Sequence, residues 1–229
     1  MYLWSKKSKV MIKTVIFDMD GVIVDTEPVH KYAYDQHFKE LNINVSSEMY
    51  ATFTGNSTRN VFQKLKDKFQ LEHDVEDLIL RKRHLFNEAF DTKPDLELID
   101  GVLTLIQELH HKGMQLILAS SASNSTINRV FNRFNLNQYF THKISGEDFP
   151  MSKPHPAIFL HAASLSVAPK SQCVVIEDST NGIAASKAAD IFCIGYHSEN
   201  SKHQDLSKAD YVIQDFSEIN FDKLQQLIS

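Results

Sequence analysis

The chain has 229 residues, too many for one minimal domain and too few for two large ones, so it accommodates one good-sized domain or a core carrying a smaller insert. With 42% hydrophobic and 23% charged residues it can bury a full core, which excludes collagen-like, coiled-coil and disordered classes. A formal net charge of −5 argues against a broad basic surface for nucleic acid, and no apolar run approaches the roughly 18–20 residues of a membrane span.

The first predicted element is a strand at Thr14–Phe17, β-branched and aromatic, apolar on both pleat faces and followed by Asp18-Met19-Asp20-Gly21. Residues 25–92 then show no convincing strand. Helical periodicity runs through Val29–Leu41, Thr58–Phe69 and Val75–Phe90 instead. After Lys93-Pro94-Asp95 the pattern alternates. A helix carries Val102, Leu105, Ile106 and Leu109 and stops near Gly113; a strand follows at Gln115–Ala119. Ile127, Val130, Phe131 and Phe134 mark the next helix, and Lys143–Ser145 a weaker strand. Pro156 opens a helix, Cys173–Ile176 is a strand, and Ile183–Ala189 is an alanine-rich helix. Strands at Phe192–Gly195 and Tyr211–Ile213 precede a last helix with Leu224, Leu227 and Ile228. This order predicts an α/β fold: a doubly wound, Rossmann-like parallel sheet built from residues 1–24 and 93–229, with an all-helical insert at 25–92.

The N-terminus, MYLWSKKSKVMIK, lacks the roughly 7–15-residue apolar stretch of a secretory signal, and Met11 is a second candidate start. Cys173 and Cys193 sit in apolar runs and read as buried thiols of a reducing compartment. The expectation is a cytoplasmic protein with no nucleic-acid, membrane or obligate protein partner.

In an open parallel sheet, ligands bind beyond the carboxyl ends of the strands. Asp18 and Asp20 follow the first strand, Ser120 and Ser121 the second, Glu177 and Asp178 the Cys173 strand, and Lys153 sits in Ser-Lys-Pro-His-Pro just before a helix. Clustered carboxylates repel unless a cation neutralises them, and oxygen-only donors suit a hard ion such as Mg²⁺. A carboxylate can also act as a nucleophile toward phosphorus, with a second one moving protons. Serine and lysine can hold phosphate oxygens. Ser120-Ser121-Ala122-Ser123-Asn124 reads equally as a helix cap, and since helix N-termini bind phosphate, Ser121 and Asn124 join the substrate-binding candidates. His155 reads as a turn residue, and His110-His111 as complements to a helix dipole.

The stretches FDMDGVIVDTEP, LILASSAS, SKPHPAIF and VVIEDSTNGIAASKAA, in this order and at strand ends, resemble the haloacid dehalogenase superfamily from about Lys13 to the last helix. The branch resembled contains β-phosphoglucomutase and small sugar-phosphate or phosphoglycolate phosphatases, whose helical cap occupies the position of the insert. The resemblance implies that Asp18 is the nucleophile and a Mg²⁺ ligand. It implies that Asp20 is the general acid and base, with its carbonyl on the metal. Ser120 and Lys153 match the phosphate-binding serine and the lysine of the second and third motifs. Glu177 and Asp178 match the acidic metal-binding pair, Asp178 being the firmer ligand. In the cap, His30 matches a histidine that handles the transferred group in the mutase. Gly55 and Arg59 fall in the loop that selects substrate, with the arginine displaced by one position. The mutase lysine from a later cap helix has no clean match in Arg81-Lys82-Arg83-His84. Each of these cap positions also reads as a solvated helix face.

The activity implied is a Mg²⁺-dependent phosphatase acting on a small phosphorylated metabolite through an aspartyl-phosphate. The proline after Glu27 leans the same way. The alternatives are β-phosphoglucomutase and, third, a non-catalytic sugar-phosphate sensor.

Overall fold

The strand Thr14–Phe17 (β1) is fully buried, and its alternating side chains feed two different apolar layers. Val15 and Phe17 face one cluster, Ile16 the other, as the two-residue period of a strand requires. The computed structural model describes residues 11–53, 56–198 and 202–227.

After β1 come four helices, Glu27–Glu40 (α1), Ser47–Ala51 (α2), Thr58–Phe69 (α3) and Val75–Thr92 (α4). The chain continues through Val102–His111 (α5), Gln115–Ser120 (β2), Asn124–Arg133 (α6), His142–Ser145 (β3) and Ala157–Ser164 (α7). It ends through Cys173–Glu177 (β4), Thr180–Ala188 (α8), Phe192–Tyr196 (β5), Tyr211–Ile213 (β6) and Phe221–Leu227 (α9). The six strands are parallel, in the order β3-β2-β1-β4-β5-β6. Helices α5, α6 and α9 pack on one face, α7 and α8 on the other, making the doubly wound sheet. The strand order reverses between β1 and β4, the crevice where such sheets bind ligands.

The predicted strands all form, each within two residues of its expected bounds. Helix α2 was not anticipated: it is one short turn capped by the Ser46 hydroxyl, and it buries none of its residues. Gly55 and Ile228 lie outside the described residues. No described helix is long and apolar enough to cross a membrane.

The helices of the insert enclose their own apolar cluster, Tyr34, Phe38, Phe53, Val61, Phe62, Leu65, Leu78 and Ile79. Their bases belong elsewhere: Val29 and Ala33 of α1 and Leu85, Phe86 and Phe90 of α4 join the main core. The return to the sheet is clamped by α6. Arg133 donates to the Phe90 carbonyl at 2.7 Å and the Lys93 carbonyl at 2.5 Å, and Arg129 pairs with Asp91.

His37 lies buried against Phe62, and its Nδ1 has no hydrogen-bond partner among the described residues. Burial pushes this ring down to about 4, with Glu40 pulling up and Arg81, His73 and Lys82 pushing further down. An unfolded ring takes its proton near 6.5, so the unfolded chain binds more protons between those values. Stability is therefore expected to fall as pH drops from about 6.5 to 4. Melting temperatures across that range should show His37→Leu with a flatter dependence than the parent; identical slopes would remove His37 from the account.

Candidate active site

Register brings the chemistry together. Phe17 stands opposite Leu118 on β2 and Ile176 on β4, so the next residue on each strand is Asp18, Ala119 and Glu177. The Asp18 amide donates to the Ile176 carbonyl at 3.0 Å. The backbone then turns sharply: the amides of Val22, Ile23 and Val24 all donate to the Met19 carbonyl. Gly21 makes this possible with φ +84°, and a Cβ there would overlap the Asp178 carboxylate. The turn returns Asp20 to the rim beside Asp18.

Lys153 stands at the centre of the floor, 3% exposed. Its Nζ donates to Asp18 Oδ1 at 2.5 Å, to Glu177 Oε1 at 2.7 Å and to the Ala119 carbonyl at 3.0 Å. Burial alone would favour a neutral amine, but the two carboxylates outweigh it and hold the ammonium well above the usual lysine range. The second Glu177 oxygen accepts from the Ser179 amide and hydroxyl, both at 2.9 Å. Ser179 also caps α8, its hydroxyl accepting from the Gly182 amide. Glu177 is thus engaged at both oxygens.

The remaining acids are under-compensated. Burial, together with Lys153 on one side and Glu177 and Asp20 on the other, leaves the Asp18 carboxyl pushed up to about 7. Asp178 is raised well above its usual range by burial and by the Glu177 and Asp18 charges. A site that strains to ionise two buried carboxylates with one ammonium fits a further cation. Among the described residues, no three His, Cys, Asp or Glu side chains stand together as a ready ligand cluster. The oxygen donors free to serve are the Asp18 and Asp178 carboxylates and the Asp20 backbone carbonyl, a hard set suited to Mg²⁺.

Asp20 faces the insert. Its carboxylate accepts from the Thr26 hydroxyl and lies 3.9 Å from His30 Nε2. Burial pushes Asp20 up, but His30, Thr26 and Lys82 outweigh it and set the carboxyl below its usual range. Behind His30, Lys82 Nζ lies 2.6 Å from Nδ1, with the rings of Tyr34 and Phe86 at 4.6 and 5.1 Å. With Lys82 as the donor to Nδ1, a neutral ring carries its proton on Nε2, the nitrogen facing Asp20. Burial pulls Lys82 down to about 7, against Asp20 and Glu27, which pull it up. Sequence reasoning found no clean match for a cap lysine; Lys82 is the inward member of that stretch. Its signal was there: it sits three and four residues from Leu78, Ile79, Leu85 and Phe86, all buried on α4.

A cavity of about 130 Å³ lies over Asp18, Asp20 and Asp178 and is walled by Glu27, Tyr50, Asn56 and Lys82. It shares His30, Ser121 and Lys153 with a larger space of about 1000 Å³ between the insert and the sheet rim. Ser121 lines both. Ser120 is buried beneath, its hydroxyl accepting from the Ala122 amide at 3.0 Å. Arg59 lines only the larger space and pairs with Glu76. Asn124 lines neither; it donates to Asp148 at 3.1 Å. His155 stays with its own turn, its Nδ1 accepting from the Ala157 amide.

Residues 15–196 match the sequence model of a family described as haloacid dehalogenase-like hydrolase. Hexitol phosphatase B of Escherichia coli is 33% identical over 185 residues, covering 78% of this chain and 80% of its own. The β-phosphoglucomutase of Bacillus subtilis is 26% identical over 221 residues, covering 94% and 95%. Among solved structures, CbbY from Rhodobacter sphaeroides, in complex with xylulose-(1,5)bisphosphate, superposes with a TM-score of 0.80 at 24% identity, over 91% of this chain and 96% of that one.

A Cβ on Gly182 would overlap the Glu177 carboxylate. Gly182→Ala is therefore expected to displace Glu177, cost about 1–3 kcal/mol of stability and loosen Lys153. Denaturant unfolding checks the first; a variant as stable as the parent would show that the helix yields instead.

Proposed function

The chain belongs to the haloacid dehalogenase-like hydrolases, and on that footing we propose that it is a Mg²⁺-dependent phosphatase of a small phosphorylated metabolite, a sugar phosphate, working through an aspartyl-phosphate on Asp18. The observation that carries the reading is the division of labour between two carboxylates two residues apart. Asp18 is held by Lys153 from the loop before α7, and Asp20 by Thr26 and His30 from the insert.

The substrate phosphoryl group enters above Asp18, with Lys153 below and the Ser121 turn at its side. An Asp18 oxygen attacks phosphorus as the bond to the leaving oxygen breaks. Asp20 delivers a proton to that oxygen. Ionised before substrate binds, Asp20 takes this proton from solvent as the phosphate dianion arrives, because a neighbouring negative charge raises a carboxyl pKa. His30, backed by Lys82, holds Asp20 in place. In the second half, Asp20 takes a proton from water as the water oxygen attacks phosphorus. The bond to Asp18 breaks, releasing inorganic phosphate and the Asp18 carboxylate. Mg²⁺, when held by Asp18, Asp178 and the Asp20 carbonyl, supplies charge for the phosphoryl oxygens. Glu177, engaged at both oxygens, orients Lys153.

One observation favours β-phosphoglucomutase as a second reading: Lys82 on His30 supplies a cap lysine. The products separate the two. With β-glucose 1-phosphate, a phosphatase releases inorganic phosphate, whereas a mutase yields glucose 6-phosphate without it.

Phosphate release from a panel of sugar phosphates is expected to stop with excess chelator and return with Mg²⁺. Asp18→Asn should lower kcat by about 10³-fold or more. Full turnover in that variant would dismiss Asp18 as the nucleophile, and chelator-insensitive release would dismiss the metal.

A further inference from the structure

Helix α4 ends without a cation of its own. A helix leaves its last carbonyls without partners inside it, and α4 has no basic residue in its last turn. The Thr92 hydroxyl donates back to the Glu88 carbonyl, and the chain leaves the helix extended at Lys93. Arg133, in the last turn of α6, supplies the rest. Besides the Phe90 and Lys93 carbonyls it reaches that of Leu96 at 3.4 Å. One guanidinium thus binds the helix end and the segment by which the chain returns to the sheet. That segment is stitched to the outgoing one. The Ile99 amide donates to the Ile23 carbonyl at 3.0 Å, and Leu98 bridges Val24, whose carbonyl accepts from the Gly21 amide.

From this clamp a column of flat groups runs toward the rim. Lys82, Phe86 and Phe90 follow at four-residue spacing, one row on α4. The Arg133 guanidinium lies 5.1 Å from the centre of the Phe90 ring. Phe90 stacks on Phe86 at 6.0 Å between centroids, and Phe86 lies against the His30 ring at 4.4 Å. Both phenylalanines are buried. His30 then faces Asp20, with Lys82 on its other nitrogen. Close-packed rings pass a displacement on rather than absorb it. A shift at the α4 end therefore moves His30 against Asp20. Asp18 stands outside this column, held by Lys153 and its own strand.

We propose that Arg133 is a positioning residue for Asp20, holding His30 and Lys82 at the height of that carboxylate through the Phe90 and Phe86 rings. The proposal rests on the reading above that Asp20 moves the protons. Loss of the clamp weakens proton delivery to the leaving oxygen and leaves the Asp18 attack in place. Esters whose leaving group departs as a stable anion need no such proton, so they separate this role from a general loss of structure.

The test compares kcat/KM, which reads the steps up to departure of the leaving group, between alkyl esters and p-nitrophenyl phosphate, all with Mg²⁺. The alkyl esters are glucose 6-phosphate, fructose 6-phosphate and glycerol 3-phosphate. Arg133→Met keeps the stem over Phe90 and removes the donors. It is expected to lower kcat/KM for the best alkyl ester about tenfold or more, and for p-nitrophenyl phosphate about threefold or less. Arg133→Lys, which keeps the charge but not the fork, should show the same bias to a smaller degree, and it decides the matter if the methionine variant does not fold. Amide hydrogen exchange should quicken in the variants at residues 27–33 and 82–90 and stay unchanged at 173–177. Equal losses for the two kinds of ester, no loss in either variant, or unchanged exchange at 27–33 would overturn the proposal. A parent that releases phosphate from no alkyl ester would retire the phosphatase reading, and exchange would then decide the clamp alone.

Discussion

One ammonium group organises the floor of this protein. Lys153 arrives from a loop 135 residues away in sequence from Asp18, buries itself, and donates to two carboxylates and a main-chain carbonyl. Removing one partner of a buried pair leaves an uncompensated charge, which costs several kcal/mol. The neighbourhood is accordingly arranged around this contact. The α8 N-terminus turns Ser179 onto Glu177, and Gly182 leaves room for that carboxylate. On the far side, Gly21 leaves room for Asp178. The glycines mark where acid groups approach a backbone too closely for a side chain.

Much of this was legible in the sequence because the sheet is regular. Apolar runs such as Thr14–Phe17 and Cys173–Ile176 can only be buried strands, and the acids that follow them must then lie on one rim. The helical insert was legible for the same reason, from a 3.6-residue period without alternation. What stayed hidden depended on side-chain direction rather than period. Asp178 read as the firmer ligand of the acidic pair, but no pattern in the sequence showed that the turn into α8 gives the second oxygen of Glu177 to Ser179. Asn124 sits one residue after the Ser123 cap, and the helix carries it outward to Asp148. The pairing of Tyr50 with Glu27 joins residues from two helices whose mutual approach no local pattern encodes.

Lys82 shows the same limit from the other side. Among four consecutive basic or imidazole residues, only the one on the buried stripe of α4 turns inward, and there burial lowers its pKa toward neutrality. Arg81 and Arg83, on either side, go to Glu40 and Glu147 at the surface. One helical turn thus sorts like charges into a polarisable neighbour for His30 and ordinary surface pairs, which contribute little to stability.

The central position of β1 bears on how the chain finds this arrangement. The strand is early in the sequence, yet its neighbours come far later: Thr14 meets Gln115 across 101 residues. The insert is local by comparison, its apolar cluster drawn from residues 34–79. Loop-closure entropy therefore weighs on the sheet and hardly on the helices. Asp18 and Lys153, separated by more chain still, meet only once the slow, long-range part of the topology is complete. In a growing chain the helices can consolidate while the strand that carries Asp18 still waits for its partners.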